Sequence, residues 1–201
     1  MRRTIFDRGT FHQYSIQERY FSAIERRSSM LLEGRETSTK TKVFLSHKHD
    51  DLDDLMDLIG FLEKEYDVIT YIDSMDKEMQ NKKCDGRTAM RIKDVINKSD
   101  KFILLATELA IDSPWCNWEL GYGDAKKFKD HIAILPIKEK GVSEKDYKGH
   151  EYMSIYPLIL YHDGNEKNTD GRPIPAGYYY GYKKDKGGYT IIPLKNWLNK
   201  K

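Results

Sequence analysis

Trp115 and Glu119 are the residues of this sequence with the most chemistry to offer. They lie in Asp112-Ser113-Pro114-Trp115-Cys116-Asn117-Trp118-Glu119-Leu120-Gly121, shortly after the apolar run Phe102-Ile103-Leu104-Leu105-Ala106. The run reads as a strand, and the stretch after it as a short turn and a helix start. Ser113 suits an N-cap, and Pro114 suits the first helical position, where its missing N–H would be unpaired anyway. A spacing of four then puts the indole and the carboxylate on one helix face. The mouth of a strand-to-helix junction is where open α/β sheets keep their ligand crevices, so the pair marks a candidate active site.

Other constellations are weaker. No G-x-G-x-x-G follows a strand and no G-x-x-x-x-G-K-[ST] occurs, which argues against a dinucleotide fold and a P-loop. A G-x-S-x-G elbow is also missing. His47-Lys48-His49-Asp50 offers two imidazoles, but no later cysteine or histidine completes a set at metal-ligand spacing, so no metal is expected. Lys77, Lys82, Lys83 and Arg87 supply mobile charges that either meet phosphates or keep a loop soluble. Tyr178-Tyr179-Tyr180-Gly181-Tyr182 reads as a packing or partner surface.

The elements that position these residues alternate. Val43 to Ser46 is a short apolar strand, followed by a helix with Leu52, Leu55, Met56, Ile59 and Leu62 on one face and acidic residues at its start. Val68 to Asp73 is a second strand, rich in β-branched residues. Ser74 to Arg87 is a long charged loop, a length that often carries function. Thr88 to Lys98 is a helix with Ala89, Ile92, Val95 and Ile96 inward. Phe102 to Ala106, Ile132 to Ile137 and Tyr156 to Tyr161 are further strands. Strand–helix alternation with apolar runs predicts a parallel sheet covered on both faces.

Outside this frame, residues 1–40 form a polar extension in which Ile16, Tyr20 and Ile24 recur at helical spacing, predicting a helix over Ser15 to Leu32. Residues 163–188 read as loop, and residues 193–201 as a short helix anchored by Leu194, Trp197 and Leu198. The chain is therefore divided into an extension (1–40), a central domain (41–162) and a loop-rich tail with a helix packed on the domain (163–201).

Totals agree with one soluble domain. The 201 residues are 39% hydrophobic and 33% charged, with 34 basic against 32 acidic side chains. Mean hydropathy is −0.73. That balance calls for neither nucleic acid nor membrane. Two distant cysteines, Cys84 and Cys116, fit a reducing, cytoplasmic setting.

In the order and spelling of three stretches the sequence resembles the TIR (Toll/interleukin-1 receptor) domain family. These are Val43-Phe44-Leu45-Ser46-His47 followed by Asp50, then Tyr71-Ile72-Asp73 with its charged loop, then Ser113-Pro114-Trp115-Cys116-Asn117-Trp118-Glu119-Leu120, close to the family's S-x-W-C-x-x-E-L signature. The resemblance implies a flavodoxin-like, doubly wound sheet of five parallel strands with helices on both faces. It implies one of two activities: scaffolding through TIR–TIR contacts, or cleavage of NAD⁺ between nicotinamide and ribose by a glutamate in a W-x-x-x-E context. In the second case Glu119 is the catalytic carboxylate and Trp115 the aromatic wall. Ser46, His47, Lys48 and Asp73 then open onto the same sheet edge as substrate-binding residues; Lys48 stands where some NAD-cleaving relatives carry arginine. The family further implies NAD⁺ as substrate with no separate cofactor, ADP-ribose or a cyclic isomer as product, self-association, and an effector that senses the product. A receiver-type domain fits less well, because Ala106-Thr107-Glu108 follows the third strand where a phosphorylatable aspartate would stand.

Overall fold

The computed structural model describes residues 2–72, 86–184 and 188–200, apart from the side chains of residues 25, 128 and 129. The parallel core has the expected strands: β3 (Lys42–Ser46), β4 (Ile69–Ile72), β5 (Lys101–Ala106), β6 (Ile132–Lys138) and β7 (Leu158–His162). Their spatial order is β4-β3-β5-β6-β7, and each neighbouring pair is parallel. This is the doubly wound, flavodoxin-like arrangement, with its switch point between β3 and β5.

Helices α2 (Leu52–Tyr66), α3 (Gly86–Lys98) and α5 (Pro114–His131) connect these strands, and the short α4 (Glu108–Ile111) sits between β5 and α5. The sheet divides the core in two. Leu55, Leu58, Ile59 and Leu62 of α2 pack on one face with Val43, Leu45, Ile103 and Leu105. Ile92, Val95 and Ile96 of α3, with Cys116 and Leu120 of α5, pack on the other with Phe44, Phe102 and Leu104. Alternate residues of each strand thus serve opposite faces, as the pleat requires.

The sheet does not stop at five strands. Residues 163–188, read from sequence as loop, contain β8 (Gly177–Lys183), and β9 (Tyr189–Pro193) comes directly after. Both are antiparallel additions beyond β7. The tyrosine run supplies the β-propensity, and Tyr180 stacks on Trp197 of the last helix, α7 (Leu194–Asn199), at 4.7 Å between ring centres. Gly181 hides the strand from a propensity reading, yet a Cβ there would meet Leu160 Cδ2 at 2.8 Å. A side chain at this position would crowd Leu160 and Ile191 on the same face of the sheet.

The N-terminal extension also enters the sheet. Beyond the single β6–β7 pair Ile134↔Leu158, β1 (Arg2–Arg3) pairs with the end of β7 and β2 (Phe6–Asp7) with the end of β6. Helix α1 spans Glu18–Leu32 rather than starting at Ser15. Its inner face is Phe21, Ile24 and Leu31, while Tyr20, placed by sequence on the packing stripe, is exposed. Ser28 on the same face donates to the carbonyl of Ile72 at 2.8 Å, tying α1 to the outermost strand of the parallel core. A further short helix, α6 (His150–Ile155), precedes β7.

Candidate active site

Glu119 is held where β3 ends. The start of α5 sets its position: Ser113 is the N-cap, its hydroxyl accepting from the Cys116 amide at 3.4 Å, and Pro114 comes next in the first turn. Cys116 Sγ donates to the carbonyl of His47 at 3.2 Å, so the helix is docked on the segment leaving β3. One turn on from Trp115, Glu119 points inward and is 2% exposed. The hydroxyl of Ser46, the last residue of β3, donates to Glu119 Oε2. A carboxylate this far from water needs such partners, since burying an unpaired charge costs several kcal/mol.

Of the residues proposed from sequence, the structure brings Ser46 and Glu119 into direct contact and links His47 to the same helix through its carbonyl. The His47 ring is buried, with Nδ1 3.4 Å from the Leu45 carbonyl. Lys48 is half-buried and caps the 3₁₀ turn His49–Asp51 through its own carbonyl, which accepts from the Asp51 amide at 2.9 Å. Trp115 stacks on Trp118 at 4.7 Å, and Trp118 lies over Tyr122 at 6.1 Å, making an aromatic ladder along α5. The ammonium of Lys93 sits 5.7 Å from the Trp118 ring and 5.2 Å from the Tyr122 ring. The indole N–H of Trp115 is buried and has no partner among the described residues. Asp73 and residues 74–85 of the charged loop, with Lys77, Lys82, Lys83 and Cys84, lie outside the described residues.

A second polar cluster, which the sequence did not reveal, occupies the α2 side of the same switch point. Thr107, immediately after β5, donates to Asp51 Oδ2 at 2.5 Å and accepts from the Ala110 amide at 3.0 Å. Arg8, from the N-terminal extension, reaches Asp51 at 2.6 Å, Asp54 at 2.9 Å and Glu139 at 3.3 Å. Burial pushes the Asp51 and Asp54 carboxyls above their ordinary value, with Thr107 and Arg8 opposing it at Asp51 and Arg8 and the Gly9 amide at Asp54. No local signal in the sequence pairs residue 8 with residue 51. The acidic start of α2 was visible as a match to the helix dipole, with Asp50 in the TIR-like first stretch and Asp50 and Asp51 half fitting the acidic pair of a receiver-type domain.

Two tyrosines brace the site from behind. Tyr147, buried, donates to the Ala106 carbonyl at 2.6 Å, and Tyr152 donates to Asn117 Oδ1 at 2.5 Å. Asn117 in turn donates to the Ile111 carbonyl at 2.9 Å. These bonds lock the orientation of α5 and hence of Glu119. Among the described residues no group of three or more His, Cys, Asp or Glu is arranged to hold a metal ion.

Fold and site together define a flavodoxin-like α/β domain with a hydroxyl-bound carboxylate at its topological switch point. A family model for the TIR domain matches residues 43–169. The chain belongs to the TIR domain family. Comparison with curated proteins finds no match. Among the described residues no helix is long and apolar enough to cross a membrane.

Proposed function

We propose that this TIR domain is an NAD⁺ nucleosidase or cyclase that breaks the nicotinamide–ribose bond, with Glu119 as the catalytic carboxylate. The observation that carries the reading is the burial of Glu119 at the carboxyl end of β3, held by the Ser46 hydroxyl. Nicotinamide departs from a cationic pyridinium as a neutral molecule, so no general acid is required. The sugar passes through an oxocarbenium-like state, as in glycoside hydrolysis. A carboxylate that already holds one hydroxyl is suited to exchange it for ribose hydroxyls and to place negative charge beside the developing cation. Trp115 walls the pocket and limits water, favouring capture by a nucleophile within the substrate over hydrolysis. Ser46, His47, Lys48 and Asp73 contact ribose or phosphate in this scheme. The product is ADP-ribose or a cyclic isomer. The protein then works in the cytoplasm, in bacterial anti-phage defence of the Thoeris kind, signalling to an effector that senses the nucleotide and associating with its own copies.

The test is to monitor nicotinamide release from NAD⁺ by chromatography. Glu119→Gln is expected to lower turnover by a factor of about 10²–10³. Equal turnover in wild type and variant removes the reading.

The closed Ser46–Glu119 contact favours one second reading, a TIR–TIR scaffold in which that bond is a structural lock. In that case loop substitutions abolish a specific complex while NAD⁺ stays intact.

A further inference from the structure

Away from the switch point, the added strands enclose a cleft of about 320 Å³ between the end of β7, β1 and the β8–β9 pair. Its inner residue is His162, the last of β7, whose side chain is only 2% exposed. The imidazole Nε2 lies 3.2 Å from Glu166 Oε2. Glu166 is held in place by its own backbone, whose carbonyl accepts from the Ile174 amide at 2.9 Å. The other ring nitrogen, Nδ1, is buried and has no partner among the described residues. A buried polar atom without a partner is uncommon and costs about 1–3 kcal/mol, so it calls for an explanation.

The charges around the cleft supply one. Arg2, Lys167 and Lys184 line it, and none of the three has an ion-pair partner among the described residues. Glu166, the one lining carboxylate among the described residues, is already engaged by His162. Arg2 stands opposite His162 in the β1–β7 register and is stacked over the Tyr189 ring at 4.5 Å. Thr190 adds a hydroxyl, and Ile174 and Ile191 form an apolar wall. We propose that this cleft binds a small phosphorylated ligand, of sugar-phosphate or mononucleotide size, through Arg2, Lys184, Lys167 and Nδ1 of His162. Its volume lies at the lower end of the range for small-molecule sites.

With the carboxylate of Glu166 taking the proton of Nε2 in a hydrogen bond, Nδ1 is left to accept from a hydroxyl of the ligand's sugar, while the cations take its phosphate. Beside His162 stand Glu166 from its own loop, Arg2 across the β1–β7 register and Tyr179 of β8, edge-on at 6.3 Å between ring centres, while Lys184 and Tyr189 line the same cleft. The site does not depend on the proposed NAD⁺ chemistry.

The experiment titrates inorganic sulfate, inorganic phosphate and ribose 5-phosphate into the full chain, reading ¹⁵N shifts of His162 and heats of binding. Sulfate carries no sugar hydroxyl, so it reports the cationic contacts alone. Saturable binding at millimolar concentration or below is expected, tighter for ribose 5-phosphate than for sulfate. Arg2→Ala and Lys184→Ala, both at the cleft rim, should each weaken binding about tenfold, and His162→Leu should weaken ribose 5-phosphate more than sulfate. Glu119→Gln should leave binding unchanged. Unchanged His162 shifts up to about 20 mM anion, or equal affinity in wild type and the Arg2→Ala/Lys184→Ala double variant, overturns the proposal.

Discussion

Glu119 and Ser46 form a pair in which each partner explains the other. A carboxylate on the inward face of α5 is tolerated because β3 ends in a hydroxyl, and a hydroxyl buried at a strand end is tolerated because it has an acceptor. Removing the hydroxyl should therefore act on both stability and activity. Ser46→Ala is expected to cost about 1–3 kcal/mol in urea unfolding, the usual penalty for a buried acceptor that loses a donor. In the proposed reaction it should lower nicotinamide release about tenfold, less than Glu119→Gln, since the carboxylate survives but is less well aimed. Activity falling as far as in Glu119→Gln would give Ser46 more than a positioning role.

At the scale of elements, β5 carries an unusual residue for a central strand. Lys101 is fully buried, its ammonium donating to the Lys200 carbonyl at 2.7 Å and lying 5.2 Å from the Trp197 ring. It thereby fastens the start of β5 to the end of the chain after α7. Burial lowers its pKa from the ordinary 10.5 to about 8. Between those two values the unfolded chain holds a proton that the folded chain does not, so this residue's contribution to stability rises with pH through that window. Denaturant unfolding at pH about 7 and about 10 should show the wild type gaining on Lys101→Met as pH rises. A wild-type stability that stays level with or falls against the variant's as pH rises would mean that the ammonium is fully compensated where it lies.

For the whole molecule, the decisive feature is that both chain ends complete the central sheet. Strands β1 and β2 fill the space where β6 and β7 part, and β8, β9 and α7 extend the far side. Arg8 fastens the N-terminal end to the switch point through Asp51 and Asp54. Replacing it with glutamine leaves two buried carboxylates short of a cation, expected to cost about 2 kcal/mol at neutral pH given that the guanidinium is partly exposed. Because burial already raises both carboxyl pKa values, the folded state of the variant is relieved by protonating them. The loss relative to wild type should then be largest above the raised pKa values and shrink as pH falls below them. Thermal unfolding at pH about 7 and about 4.5 measures it.

The features legible in the sequence are those that local physics sets. The apolar runs at 43–46, 102–106 and 132–137 are short and bounded as buried strands are, and Ser113-Pro114 suits a helix start, so the parallel frame and the place of Glu119 beside it could be read from the sequence. The tertiary structure alone decided the rest, because it depends on residues far apart in the chain. Ser46 meets Glu119 across 73 positions and Arg8 meets Asp51 across 43. Whether the tyrosine run is a loop or a strand was decided by β7, whose open edge satisfies its backbone and whose Leu160 side chain lies over the glycine that had disguised it.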